Sequence, residues 1–363
     1  MRLLEQWNLR GPVYQLRSEL AEWDISQEQW QAVRHCSLVL FRPDGKVIER
    51  EDHNPNGSVS RSKYSYVEAG RLLESTFQLD DGPLGRTIQR YDQLGRLVRE
   101  IVVDGNGSER ESAIYSYDDT GRKTKLQVVP KREDSPACGT GSCGGGTVYG
   151  VEGAEMAYGA EGVATITTYY DHLERPCEAL FQNESGTAIL RVVLTRDNAG
   201  RLVKEESRCG DQAPFRIAQT LENAPAQERA AASAILAQLF SLDGAMWSTT
   251  YRYDDRGRRI ECSTSMWALH TDHSIWEYDE HDNAIRTIHD DTVSGDLQAD
   301  ESGNLQRVSP KSFRREGRLE YKYDSHGNWT ERVVSGRYEV NPEFQRSNIE
   351  RRTIMYYSSR GIL

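Results

Sequence analysis

The stretch Tyr91-Asp92-Gln93-Leu94-Gly95-Arg96-Leu97, set in RYDQLGRLVRE (residues 90–100), decides the fold. Asp at the first position of a turn and Gly at the fourth is the preference of a type I turn. A Gly in the left-handed region then adds a bulge and makes a three-residue hairpin loop. With Gln93-Leu94-Gly95 as the loop, Asp92 stands opposite Arg96 and Tyr91 opposite Leu97. One face of the hairpin is then expected to carry an acid–base pair and the other an aromatic–aliphatic pair. Each cross-strand pair of this kind contributes roughly 0.2–1 kcal/mol.

The pattern recurs. Counting from the residue four before the Gly, it stands at Phe41, Tyr66, Tyr91, Tyr117, Tyr170, Arg196, Tyr253, Tyr278, Ala299, Tyr323 and Tyr357. The intervals are 25, 25, 26, 53, 26, 57, 25, 21, 24 and 34, so most units span 21 to 26 residues. A fixed period of this length marks a repeat architecture. Residues two before the repeat position share its face, because strands have a period of two. They read Tyr64, Tyr115, Thr168, Tyr251, Trp276, Tyr321 and Met355, an aromatic ladder. Further turn signals lie between: Asn56-Gly57, Asp81-Gly82, Asp104-Gly105 and Ser185-Gly186. Each period is therefore two strands and two turns.

The motif resembles the YD repeat of the RHS-repeat family, which includes Rhs polymorphic toxins, insecticidal toxin-complex subunits and teneurins. The resemblance runs over roughly residues 37–363. In the large relatives it implies a long β-strip spiralling into a hollow shell around a toxin or another segment. This chain reads as too short for such a shell, and it reads as lacking an Asp-Pro core motif and an appended C-terminal domain, so encapsulation of a toxin is not expected to carry over.

The expected fold is all-β. It is a long antiparallel meander of about 11–12 hairpins, curled into a wide sheet or partial shell, with one inserted helix. Strands about 4.8 Å apart make such a strip on the order of 105–115 Å wide. The Tyr/Leu face is expected to turn inward and the Asp/Arg face outward. The chain divides into an N-terminal cap at 1–40 and a repeat sheet at 41–363. The cap reads as a strand followed by a short helix that starts at the capping box Ser26-Gln27-Glu28-Gln29 and carries Trp30 and Val33. The sheet is broken by a Gly-rich loop at 131–165 holding Cys138 and Cys143, and by a helical insertion at 208–248 with the stripe Ile235, Leu236, Leu239 and Phe240. Because the chain ends just after Gly361, a last strand is expected to be missing or supplied by another molecule.

Composition narrows the role. The net charge of −11 disfavours nucleic acid. No leader-like apolar region opens the chain, and no apolar run approaches the roughly 20 residues of a membrane-spanning helix. These features predict a cytoplasmic protein with no membrane partner. Six scattered cysteines read as free thiols. The cluster His270, Asp272, His273, His281 and His289 divides between two strand faces, with His270 and Asp272 on one and His273 on the other. No catalytic motif and no cofactor or metal set stands out.

The expected function is a non-catalytic binding or scaffold protein. Its ligand face is Tyr64, Tyr66, Tyr115, Tyr117, Tyr251, Tyr253, Trp276, Tyr278, Tyr321 and Tyr323, and its ligand a polypeptide or glycan, since Tyr and Trp are common binding anchors. Two alternatives stand beside it. One is a toxin-associated partner, an immunity-like protein or a shortened relic of an Rhs locus. The other is an enzyme with its site in an insertion.

Overall fold

The computed structural model describes residues 7, 9–67, 70–82, 84–128, 148–150, 157–159, 163–209, 245–266, 270–293, 297–299, 305–307, 311–339, 341–358 and 361–362. Every regular element among them is a β-strand. The Gly-rich stretch with Cys138 and Cys143 and the helical stripe Ile235–Phe240 lie outside the described residues.

Strand follows strand in an antiparallel meander from Val13–Asp24 to Asn341–Ser358. The meander then closes on itself. Val13–Asp24 pairs on one side with His35–Phe41 and on the other with Asn341–Ser358, in register from Val13↔Tyr356 to Glu22↔Asn348. The result is a closed barrel of 20 strands, not an open or curled sheet. The strand expected to be missing at the C-terminal edge is the N-terminal one of the same chain. A 20-strand wall with strands about 4.8 Å apart, tilted by about 40°, sets a radius on the order of 20 Å. Closure removes the open edges that make long strips aggregate.

Closure also overturns the expectation of a cytoplasmic protein with no membrane partner. That reading rested on the lack of an apolar helical run. No helix among the described residues is long and apolar enough to cross a membrane, but a barrel crosses with strands, so the lack says nothing here.

The residues read as the start of a short helix form a turn instead. The Asp24 carboxylate accepts from the backbone N–H groups of Ser26 and Gln27, at 2.9 and 3.1 Å. A two-residue strand, Gln29–Trp30, then pairs back on the first strand with Trp23 opposite Trp30, ring centroids 4.8 Å apart. Cross-strand aromatic pairing and the Asp24-capped turn outweigh the capping-box signal.

Nine of the repeat turns have both closing backbone bonds described, and they fall on one rim. All nine, from Arg42–Lys46 to Asp324–Asn328, share the same pair of bonds. In the Asp92 turn the Asp92 N–H donates to the Arg96 carbonyl at 3.0 Å and the Gly95 N–H to the Asp92 carbonyl at 2.9 Å. Gly95 has φ +78°, and the register slips after Arg90, so Tyr91 faces Leu97 across a bulge as expected. Where the Gly is absent, Glu174 and Asp282 take the same left-handed conformation at φ 62° and 67°. The opposite rim uses the same turn at Asn54–Ser58, Asp104–Ser108 and Asn183–Thr187, with Ser or Thr where the first rim has Arg. In the Asp104 turn it is Gly107, not Gly105, that is left-handed.

Two clusters pack along the tyrosine-bearing face. One runs from Ala113 and Leu126 through Ile166, Phe181 and Val192 to Tyr251. The other joins Leu9, Val13 and Leu16 to Val39, Phe41 and Val47, and so lies across the closing seam. Leu16 is fully buried there. Leu16→Ala should lower the unfolding free energy by roughly 2–5 kcal/mol. Arg17→Ala, on the exposed side of the same strand, should change it by less than about 0.5 kcal/mol. Urea unfolding of the two variants beside the parent measures the difference, and equal midpoints would contradict the seam.

Candidate functional site

The candidate site begins with the repeat turn. In the Asp92 turn one carboxylate oxygen accepts from the Arg96 backbone N–H at 2.8 Å and the other from the Arg96 Nε–H at 2.7 Å. The same ion pair joins Asp118–Arg122, Asp171–Arg175, Asp197–Arg201 and Asp254–Arg258. Hydrogen bonds to the ionised form lower a carboxyl pKa. At Asp92 the Arg96 backbone N–H is the largest such cause, and at Asp118 the Thr120 hydroxyl, and both carboxyls are held below their ordinary value.

The Arg side chains do not form a separate face. Five guanidinium groups lie over the ring of the next repeat's Tyr: Arg71 over Tyr91, Arg96 over Tyr117, Arg122 over Tyr170, Arg201 over Tyr253 and Arg258 over Tyr278. The separations from the ring centroids run from 4.8 to 5.2 Å. The Tyr hydroxyl then donates back to the carbonyl just past the preceding turn. Tyr66 donates to Val47, Tyr91 to Leu72, Tyr117 to Leu97, Tyr170 to Lys123, Tyr253 to Leu202 and Tyr278 to Arg259, at 2.5–2.7 Å. Arg196, which stands at a Tyr position, donates to the equivalent carbonyl of Pro176 at 3.4 Å. The expected separation of an Asp/Arg face from a Tyr/Leu face is thus corrected at the rim, where the acid, base and phenol form one chain of contacts.

Two turns vary the scheme. YDEHDNA and YDSHGNW carry Asn283 and Asn328 in place of Arg, and His281 and His326 two residues earlier. Here the next phenol donates to the Asp itself, Tyr323 to Asp279 and Tyr356 to Asp324. The Asn amide donates to that same phenol oxygen, and the His ring takes the stacking position, His281 4.3 Å from Tyr323 and His326 4.0 Å from Tyr356. The sequence signal was present in the fifth and third letters of the two turns.

The ten aromatic residues singled out from sequence lie along the same face of the wall, in strands spread around the barrel. Tyr66, Tyr117, Tyr253, Tyr278 and Tyr323 sit at the turn rim as described. Tyr64 packs on the seam cluster. Tyr115 donates to Glu100 at 3.0 Å and Tyr321 to the Ala284 carbonyl at 2.9 Å. Tyr251 is buried under Arg259, whose guanidinium also approaches Trp276. Tyr321 stacks on Tyr323 at 6.0 Å. Side chains from different strands meet at Arg258 and Arg259, which draw Tyr251, Trp276 and Tyr278 together.

His270, Asp272 and Ser274 share a face, and His273 lies on the other. The partner strand adds His289 and Asp291: His270 bonds Asp291 at 2.5 Å, and Ser274 Oγ lies 2.8 Å from His289 Nδ1. Burial pushes the His289 pKa down. His273 bonds Glu261 at 3.0 Å instead.

One concavity in the wall was not foreseen. A groove of about 750 Å³ lies over Val47–His53, Val59–Tyr66 and Leu72–Leu79. Glu49, Arg61, Lys63 and Glu74 line it with Ile48, Tyr64 and Leu84. Strand alternation alone puts Lys63 opposite Glu49 and beside Arg61, but only the pairing partners make it a groove.

No family model and no curated protein matches the chain. Solved structures similar over most of its length include the TcdB2-TccC3-Cdc42 crystal structure, at 11% identity and a TM-score of 0.35 over 94% of this chain and 16% of that one. A porin-like protein from Bacteroides uniformis aligns at 9% identity and a TM-score of 0.32, over 95% of this chain and 99% of that one. The outer membrane protein opdK from Pseudomonas aeruginosa aligns at 10% identity and a TM-score of 0.21, over 94% and 98%. The chain thus spans about 16% of the length of the toxin-complex structure it is similar to. Likeness at these values carries no inference about activity.

The phenols predict a pH response. Burial is the largest cause that raises Tyr66 and Tyr356 from 10.0 to about 12. A phenol whose folded pKa is raised favours its neutral form, so its stabilisation is complete below pH 10 and is lost as pH rises from about 10 to about 12. Absorbance titration should show late-ionising tyrosines released together with unfolding in that window. All phenols titrating near pH 10 on a folded chain would contradict it. Tyr66→Phe, which loses the bond to Val47, should cost about 1 kcal/mol by urea unfolding.

Proposed function

We propose that the chain is a non-catalytic binding barrel of the RHS/YD-repeat class that holds an extended polypeptide against its wall. The groove beside Tyr64 carries the proposal. Its size falls within the range of about 300–1,000 Å³ typical of ligand sites. Its lining alternates charge, from Glu49 and Lys63 to Arg61 and Glu74, with Ser65, Thr76 and Gln78 between and Ile48, Tyr64 and Leu84 as apolar contacts. That mixture suits a chain of peptide groups and side chains of both signs better than a single-charge ligand. Arg61, Lys63, Ser65 and Glu74 alternate with Tyr64 and Tyr66 along their strands, so the groove opens on the side of the wall opposite the aromatic face. The membership rests on the repeat turn, seen in nine copies with one bonding scheme.

The test is fluorescence anisotropy with two probes, a labelled unfolded polypeptide such as reduced and carboxymethylated lactalbumin and a labelled soluble dextran. The polypeptide should bind, and Lys63→Ser with Leu84→Ser, both exposed in the groove, should weaken it at least tenfold while leaving the unfolding midpoint near that of the parent. Preference for dextran would favour a glycan-binding protein, and equal binding by the folded variant would sink the groove.

A further inference from the structure

Trp7 and residues 9–11 run across the turn rim outside the strand ladder, which begins at the Pro12 carbonyl, acceptor of the Tyr357 N–H at 2.7 Å. What holds them is a socket of side chains. Asn328, only 1% exposed, grips the backbone of Arg10 from both sides. Its Oδ1 accepts from the Arg10 N–H at 2.6 Å and its Nδ2–H donates to the Arg10 carbonyl at 2.8 Å. The Arg10 guanidinium donates to the His281 carbonyl at 3.2 Å and lies 3.5 Å from His281 Nδ1. A Cβ on residue 327 would come within 3.3 Å of Arg10 Nη1, so Gly327 leaves the space the guanidinium fills.

Two more positions are read. Leu9 is buried in the seam cluster beside Val13 and Phe41. The Trp7 carbonyl accepts from Arg352 Nη1 at 3.2 Å, and its ring lies under Arg50, 5.4 Å from the guanidinium. Arg352 is itself fixed over the Trp329 ring at 3.4 Å. The socket therefore recognises an aromatic residue, a Leu and an Arg in the order Trp-x-Leu-Arg.

Arg10 also fits a gap in the rim. The turns ending at Asn283 and Asn328 lack the arginine that the five ion-paired turns possess. A guanidinium from the N-terminal segment stands between them. The segment joins the first strand through two residues, Gly11, left-handed at φ +81°, and Pro12, whose carbonyl accepts from the Tyr357 N–H.

We propose that this socket is a peptide-docking site, filled in cis by Trp7, Leu9 and Arg10 and open to the same residues from a second copy of this chain. The second copy is the fitting occupant because its segment carries the identical Trp, Leu and Arg. Two residues span at most about 7 Å, so exchanged copies must meet rim to rim. In cis the segment is present at an effective concentration on the order of millimolar, which keeps the socket occupied in a dilute single chain.

The test uses full-length protein and a fluorescent peptide of residues 5–12. In Leu9→Asp with Arg10→Ala the cis segment is released and the socket is intact. This variant should bind the peptide at least tenfold more tightly than the parent, and adding Asn328→Ala should remove the gain. Mixed with Asn328→Ala, which keeps its segment, the released variant should form a mixed dimer by light scattering that excess peptide disperses. A folded released variant with no gain overturns the socket, and a mixture that stays monomeric overturns exchange between copies. Should the released variant fail to unfold cooperatively, hydrogen exchange replaces it. Asn328→Ala should then speed exchange at the amides of Leu9, Arg10 and Gly11 at least tenfold over the parent with the barrel strands unchanged, and equal exchange overturns the proposal.

Discussion

The structure depends on a contact that links each hairpin to the next. An Asp carboxylate satisfies the amides of its own turn and pairs with the turn's Arg. That Arg lies about 5 Å from the ring centre of the following Tyr, and the Tyr hydroxyl reaches back to the carbonyl beyond the Asp turn. Each member is partly exposed, and an isolated surface ion pair contributes little. What it gains in series is geometry. A phenol bonded across the preceding hairpin fixes the stagger between units, and the bulge beside it bends the strand. Repetition of that bend brings the last strand back to the first.

Much of this was legible. Tyr91-Asp92-Gln93-Leu94-Gly95-Arg96-Leu97 specified the loop, the bulge and the Tyr91–Leu97 pairing, because all three depend on neighbours in sequence. Closure was not legible, since it is a property of accumulated twist and of a pairing between residues 13–22 and 348–356. The helix read from Ser26 failed for a local reason, the competing carboxylate of Asp24. Alternation puts the aromatic residues on one face, but the destination of each hydroxyl lies from 19 to 51 residues upstream and belongs to the fold. The groove beside Tyr64 was hidden for the same reason, because Glu49, Lys63 and Glu74 come from three strands.

The seam shows how one chain substitutes for the missing neighbour of a strip. Val13, Leu16 and Ile354 pack where two open edges would otherwise stand. Arg352 is pushed down to about 10 by burial, beside Glu350, Trp329 and the Trp7 carbonyl. The two Asn turns sit next to this seam. Their phenols bond carboxylates rather than carbonyls, and at Asn328 the amide also holds the backbone of Arg10.

Antiparallel closure has an arithmetic consequence. The first and last strands of the wall can pair antiparallel only if the number of strands is even, and each repeat contributes two. A duplicated or deleted repeat therefore preserves parity and changes only the girth, whereas gain or loss of a single strand would present the seam with a parallel partner in the wrong register. Genes for such barrels can change copy number by whole units and still encode a closed wall. The residues that must stay constant through such changes are those of the closing strand, which every copy number needs once.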